Sequence, residues 1–408
     1  MTSTNIAGSF KLMKSLNRTL ILNIIRKDGP ISRAEIAKIA KLTPPTVTNI
    51  VHELLEAQLV KESEMGVSTG GRKPILLTIN AESFYVIGLD VGIHKIRAVA
   101  ADLNAVIKNE QVVTIQKGIG KEELIQLLIK QVNEMMQNTN LSKDKIIGIG
   151  VGMHGVVDSK EGVALYAPNF GLKNIPIKDR LEEVFQLPVK VENDAKVLAL
   201  GEKWFGYGIN IQNMVCLNVG IGIGAGIIID DKLFNGKNGI AGEIGHTAID
   251  LNGPKCSCGN YGCLQALSSG DAIREHMLKE INLGRKTKVV ELVQGELEMI
   301  EGKIIHEAAI LGDELAREVL TKSGRYLGVG IANLINVMNP DLVVISGGVS
   351  KAGHYILDPI KEVVADRVLN EEAKKTNVLQ SKLGDHGTAI GAITLVLADL
   401  FIPEFLNE

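Results

Sequence analysis

Apolar residues Leu12, Leu16, Leu20, Ile21, Ile24 and Ile25 recur at helical spacing and stop at Asp28-Gly29-Pro30, which predicts a first helix with a sharp end. Ser32, followed three residues later by Glu35, predicts a capping box on a short second helix with Ile36, Ile39 and Ala40 inside. Thr43 can cap a third helix, which Pro44 and Pro45 open because their missing N–H groups cost little there. Its stripe is Val47, Ile50, Val51, Leu54 and Leu55, and Thr48, Asn49 and His52 lie opposite. Two β-like runs then flank a Gly/Ser/Thr-rich turn in LVKESEMGVSTGGRKPILLTIN (59–80), the pattern of a hairpin.

From Tyr85 the period changes. YVIGLDVG, IRAVAADL and VIKNEQVVTI read as successive strands, followed by a helix over about 121–137 and the strand IIGIGVGM. A similar theme restarts at MVCLNVGIGIGAGIIIDDKLF and includes the strand DLVVISGGV. This weak repeat predicts two related α/β lobes with a cleft between them, the kind of place small ligands favour. Glycine turns at Asp90-Val91-Gly92 and over 220–226 follow strands and let backbone N–H groups approach a phosphate. Neither matches a Walker A or dinucleotide fingerprint, and such glycines often only shape hairpins.

Helix, short helix, turn, helix and hairpin together predict a winged helix-turn-helix over residues 1–80. Its third helix would enter the major groove. Arg33, Thr43, Thr46, Thr48 and Asn49 are the candidate DNA contacts, and Arg72 and Lys73 on the wing can reach phosphates or a narrow minor groove. The alternative is a three-helix bundle with a solvated basic loop. Charge favours the DNA reading: residues 1–80 hold 11 Lys and Arg against 6 Asp and Glu, while the whole chain has a net charge of −3. No apolar run is long enough to span a membrane and the first residues lack a signal-peptide core, so a cytoplasmic protein is expected.

Three of the four cysteines fall within eight residues. Cys256, Cys258 and Cys263 with His246 supply three thiolates and an imidazole, a ligand set that fills a tetrahedral zinc site with no open position. The expected metal is structural: a turn-rich loop over 246–263 has little core of its own and gains from a staple.

At these residues the sequence resembles the ROK family of repressors, open reading frames and sugar kinases. EIGH (243–246) followed by GPKCSCGNYGC (253–263) is close to that family's signature. GGRKP (70–74) is similar to its repressor branch, and to the xylose-responsive type in particular. The resemblance implies a two-lobed, actin-like sugar-kinase fold (the Hsp70 and RNase H-like class) over residues 81–408. The lobes are expected at about 84–200 and 201–408, with the sugar between them. It implies sugar contacts from Asn169, Asn193, Asp194, Glu243, His246 and Gln265, with Asp194 as the base if the chain is a kinase using ATP and Mg²⁺. Asp90, Gly92, Gly220, Gly222, Gly347 and Gly348 match nucleotide-side positions. The kinases' first phosphate turn, DxGGTK, reads here Asp90-Val91-Gly92-Ile93-His94-Lys95, and Gln265 replaces a usual Glu. The resulting expectation is a repressor of carbohydrate-utilisation genes. It would act as a homodimer or higher oligomer on two-fold operator DNA, with xylose or another aldose such as glucose as inducer. The rival is an ATP-dependent sugar kinase carrying a DNA-binding domain.

Overall fold

The structure, a computed structural model, describes residues 4–65, 73–138 and 143–401. The chain opens with helices α1 (Thr4–Asp28), α2 (Arg33–Ala40) and α3 (Pro44–Glu56). Strands β1 (Ile31–Ser32), β2 (Val60–Met65) and β3 (Ile75–Ile79) form a sheet in the order β1-β3-β2. The predicted caps form. Ser32 and Glu35 make a reciprocal capping box, and the Thr43 side chain accepts from Thr46 N. Two residues depart from their predicted faces. Ile39 is 51% exposed, because at 100° per residue it lies well off the direction shared by buried Ile36 and Ala37. Leu20 stands at the margin of its stripe, and Leu22 is buried with Ile21, Ile24 and Ile25 instead. The wing strands pair from Val60↔Ile79 to Met65↔Ile75, while the tip with Arg72 lies outside the described residues.

Two five-stranded sheets of the same topology follow. In the first, β4 (Tyr85–Val91), β5 (Lys95–Asp102) and β6 (Ile107–Thr114) form antiparallel hairpins. After α4 (Lys121–Asn138), β7 (Ile146–Met153) joins β4 in parallel. A small antiparallel sheet of β8 (Val156–Asp158), β9 (Val163–Ala167) and β10 (Leu172–Ile175) precedes α5 (Ile177–Phe185). Then β11 (Val189–Asn193) pairs with β7 in parallel and leads straight into α6 (Asp194–Phe205).

In the second sheet, β12 (Met214–Val219), β13 (Ile223–Ile229) and β14 (Lys232–Leu233) repeat the antiparallel run. A helical layer follows: α7 (Leu264–Ser268), α8 (Gly270–Asn282), α9 (Lys288–Leu292), α10 (Gly302–Ile310) and α11 (Glu314–Met338). Then β15 (Leu342–Ser346) and, after α12 (His354–Arg367), β16 (Asn377–Gln380) add in parallel. The orders β6-β5-β4-β7-β11 and β14-β13-β12-β15-β16 are therefore equivalent, which accounts for the sequence repeat.

The last helix, α13 (Gly387–Phe401), returns to lie on the first sheet, against β7 and β4. Helix α6 lies on the second sheet, against β13 and β12. Glycine makes both contacts close: a Cβ at Gly150 would stand 1.8 Å from Ala392 O, and one at Gly226 would stand 2.4 Å from Ala199 Cβ. The two helices then cross each other, and a Cβ at Gly391 would stand 1.7 Å from Val197 O. Gly391→Ala forces the crossing apart and is expected to cost about 1–3 kcal/mol, read as a lower urea midpoint with an unchanged slope.

Candidate functional site

Strand β11 ends and α6 begins at Asn193-Asp194, where the two lobes face each other. Asn193 is the N-cap: its Oδ1 accepts from Ala195 N and Lys196 N, which orients the side chain. Its Nδ2 donates to Gly155 O at 2.9 Å and to Asp194 Oδ1 at 3.0 Å. The other carboxylate oxygen of Asp194 accepts from Asn218 Nδ2 at 3.2 Å, at the end of β12 in the second sheet. One carboxylate is thus held from both lobes. Burial lifts its pKa to about 6, with the nearby Glu243 charge adding to the effect and the Ala195 N–H and Asn218 opposing it. Asp90, at the end of β4, is lifted to about 7 by burial and then by Asp194, against the pull of Arg97.

The other sugar candidates surround this pair. Asn169 is exposed on the 3₁₀ turn Pro168–Phe170. That turn packs on His154 through Phe170, with ring centroids 4.5 Å apart and edge-on. His154 is buried, its Nδ1 is 3.3 Å from Val91 O, and its Nε2 has no partner among the described residues. Gln265 Oε1 accepts from Ile223 N at 3.0 Å, so that end of the amide is committed to the β12–β13 turn. Two residues that the sequence reading left without a role contribute here. Asn218 is the polar break in the apolar run MVCLNV, a usable signal. Lys196, buried beside Glu192 at 3.8 Å, donates to Gly239 O and so ties α6 to the loop that leads to Glu243.

The nucleotide candidates line the neighbouring end of the cleft. Gly92 N donates to Lys95 O, and Gly220 N to Gly222 O, so both are tight hairpin turns. Gly347 abuts Val219 and Asn218, which brings the 347–348 turn beside them. Charged groups of the chain itself stand here. Lys351, just past that turn, pairs with Asp385 at 2.5 Å, and Asp385 lies 3.8 Å from Arg97. Asp271, in the first turn of α8, is raised by burial, while His94 of the β4–β5 turn pulls the other way.

The four predicted metal ligands converge. His246 Nδ1 and Cys256 Sγ are 3.6 Å apart, Cys258 Sγ and Cys263 Sγ 3.7 Å, and all four donor atoms lie within 4.8 Å of one another. A tetrahedron with metal–sulfur bonds of about 2.3 Å has edges near 3.8 Å, so the spacing fits zinc. Without a cation the cluster is costly to ionise: burial and the neighbouring thiols push Cys263 up to about 12, while the Asn260 backbone lowers Cys258. Cys216 is buried on β12, outside the cluster.

On the N-terminal unit, α3 leaves Thr48 and Asn49 exposed. Thr48 Oγ1 donates to Pro44 O at 2.9 Å, and Thr43 and Thr46 share a hydroxyl contact at 2.8 Å, so these hydroxyls retain acceptor capacity. Arg33 is paired with Glu62 of β2 at 3.0 Å. Lys73 is exposed at the base of the wing.

Comparison with known proteins settles the family, whose model matches residues 86–399 under the description "ROK family". The chain belongs to the ROK family. A "MarR family" model matches residues 14–64, the helix-turn-helix part. The "Xylose repressor" of Caldicellulosiruptor bescii is 34% identical over 399 residues, covering 98% of this chain and 100% of the relative. Among solved structures, a ROK family transcriptional regulator described as a homolog of the E. coli MLC protein superposes with TM-score 0.83 at 28% identity, covering 95% of this chain and 98% of that one. A ROK family glucokinase from Streptomyces griseus, in complex with glucose and AMPPNP, gives TM-score 0.70 at 32% identity over 76% of this chain and 98% of that one. As a ROK protein, the chain combines the family's two-lobed body with a winged helix-turn-helix. Among the described residues, no helix is long and apolar enough to cross a membrane.

The raised carboxylate gives a pH test with a definite sign. Ionised Asp194 costs stability above pH about 6, and the cost is relieved as pH falls through that value towards the unfolded pKa near ~4. Asp194→Asn is expected to gain about 2 kcal/mol relative to wild type as pH rises from 4 to 6 in thermal melts, on top of a constant offset from the amide that then faces Asn193 or Asn218. A gain that does not vary with pH would contradict the assignment.

Proposed function

We propose that this chain is a sugar-responsive repressor of transcription. The observation that carries the reading is the end-to-end match to a xylose repressor, with a DNA-reading unit and a polar interlobe cleft in one chain. The N-terminal unit binds operator DNA through Thr46, Thr48 and Asn49 of α3, with the wing residues Arg72 and Lys73 on phosphates or the minor groove. Arg33 and Thr43 flank that surface. A homodimer presents two such units to a two-fold site.

A monosaccharide binds between the lobes. Asn193, Asp194 and Glu243 accept and donate on adjacent hydroxyls, as carboxylates and amides do well. Asn169 and Gln265 complete the ring, and the repressor relative favours xylose or another aldose such as glucose. His246 offers its second ring nitrogen to the sugar while Nδ1 ligates Zn²⁺ with Cys256, Cys258 and Cys263. With all four positions filled by the protein, a bound zinc would be structural and would hold the imidazole and the loop that follows Glu243. The sugar acts by favouring one interlobe arrangement over another, since a ligand shifts an equilibrium only by its differential affinity.

The second reading is an ATP-dependent sugar kinase. It is favoured by Asp194, raised to about 6 and so poised near the pKa a general base needs. It is disfavoured by the phosphate side. Phosphoryl transfer needs Mg²⁺ and fixed phosphates as well as a base. The DxGGTK turn has lost a Gly and the Thr, and the Lys351–Asp385 pair and the Asp271 carboxylate stand near Gly92, Gly220 and Gly347.

Zinc-replete protein on its own upstream DNA, titrated with aldoses and amino sugars plus Mg²⁺-ATP, separates the two. The expected result is operator release of roughly tenfold or more by one sugar with no ADP formed. Sugar-dependent ADP would make the chain a kinase, and no sugar effect on operator affinity would overturn the repressor reading. Mass spectrometry of native protein is expected to show one zinc per chain, and chelation is expected to lower Tm by about 5 °C or more. Unchanged melting after metal removal would sink the staple.

A further inference from the structure

The sugar candidates and the DNA unit lie at opposite ends of the same two helices. Helix α6 starts at Asp194 and spans 12 residues, about 18 Å. It lies on the second sheet, α13 lies on the first, and they cross backbone to backbone at Gly201 and Gly391. Helix α6 grows from β11 of the first sheet but packs mainly on the second, so a rotation of one lobe against the other bears on its crossing with α13. Past the crossing, the last turn of α6 carries Trp204 and α13 ends on Phe401, with their rings 5.9 Å apart and edge-on.

The N-terminal unit attaches at that junction. The guanidinium carbon of Arg26 sits 4.2 Å from the centre of the Trp204 ring and 5.0 Å from that of Phe401. Asn23, one turn earlier, donates to Phe401 O. Arg26 is in the last turn of α1. Two residues later the chain leaves α1 for β1 and the capped α2, so a shift of Arg26 is delivered to the helix-turn-helix with little slack. The contact is unusual for a surface cation. Arg26 Nε is buried with no hydrogen-bond partner among the described residues, and burial lowers the pKa of the group. The two π faces compensate the desolvation, and such contacts depend steeply on ring position. Ile21 and Ile25 flank Arg26 in one apolar cluster that continues into α13, so the joint is packed rather than loosely tethered.

We propose that Arg26, held between Trp204 of α6 and Phe401 of α13, is the positioning residue that converts the angle between the lobes into the pose of the DNA-binding unit. The sugar response it serves rests on the repressor reading. The link between lobes and DNA does not, and it can be read separately, because Trp204 is the only tryptophan in the chain.

The test uses full-length, zinc-replete protein: wild type, Arg26→Ala and Arg26→Lys. Trp204 emission is recorded on titration with operator duplex and, separately, with the sugar panel. Operator affinity is measured with and without saturating sugar. Wild type is expected to change Trp204 emission on binding operator. Arg26→Ala is expected to lose that change, to bind sugar within about twofold of wild type, and to lose most of a sugar effect of roughly tenfold or more on operator affinity. Arg26→Lys keeps a cation over the rings and is expected to retain part of the response, which guards against a variant that merely folds poorly. The proposal is overturned if operator leaves wild-type Trp204 emission unchanged, or if Arg26→Ala keeps the wild-type sugar effect. An operator-induced emission change that depends on Arg26, in a protein whose operator affinity no sugar alters, would remove the sugar reading and leave the joint standing.

Discussion

The crossing of α6 and α13 is the constraint on which the rest of the molecule depends. Each helix belongs by packing to a different sheet, and no side chain separates their backbones at Gly391 and Val197. A contact that close cannot slide far without a clash, but it can pivot. The two lobes thus meet along a helix–helix crossing that glycine draws close at Gly201 and Gly391. Interlobe motion of this kind is the usual way a ligand in a cleft reaches a distant element. The candidate sugar residues open α6 on one side of the pivot, and the DNA unit rests on the ends of both helices on the other.

Electrostatics make the cleft a favourable place for a polar ligand. Asp194 is held by Asn193 of one lobe and Asn218 of the other, and Asp90 and Glu243 crowd it with like charge. Ionised carboxylates kept at raised pKa are a standing cost, and hydroxyl donors from a sugar offset it. At the neighbouring end of the cleft, Lys351 pairs with Asp385, and Arg97 pairs with Glu110 and lies 3.8 Å from Asp385. Charge that faces phosphate in a kinase is here partnered within the chain.

Local rules in the sequence anticipated local structure well. The caps at Ser32 and Thr43, the successive strands from Tyr85 and the converging His246–Cys263 ligands each depend on residues close in sequence, where spacing carries geometry. Readings that needed long-range packing fared less well. Periodicity alone turns Ile39 inward, but a helix of only two turns leaves that phase poorly determined, and the packing around α2 leaves Ile39 exposed. Of the glycines over 220–226, Gly220 and Gly222 shape a turn, but Gly226 serves the seating of α6 on its strand, a need visible only once the helix is in place. Arg26, Trp204 and Phe401 are far apart in sequence and carry no motif, so nothing before the fold could join them.

If the sugar sits between the lobes, cleft occupancy and operator occupancy oppose each other through one two-state body. Linkage makes this reciprocal: if sugar weakens operator binding by some factor, operator must weaken sugar binding by the same factor. Sugar affinity should therefore be measured by calorimetry on the free protein and on the protein saturated with operator duplex. Sugar is expected to bind the DNA complex more weakly, by the same factor that sugar weakens DNA binding. Equal sugar affinity in both states would contradict it.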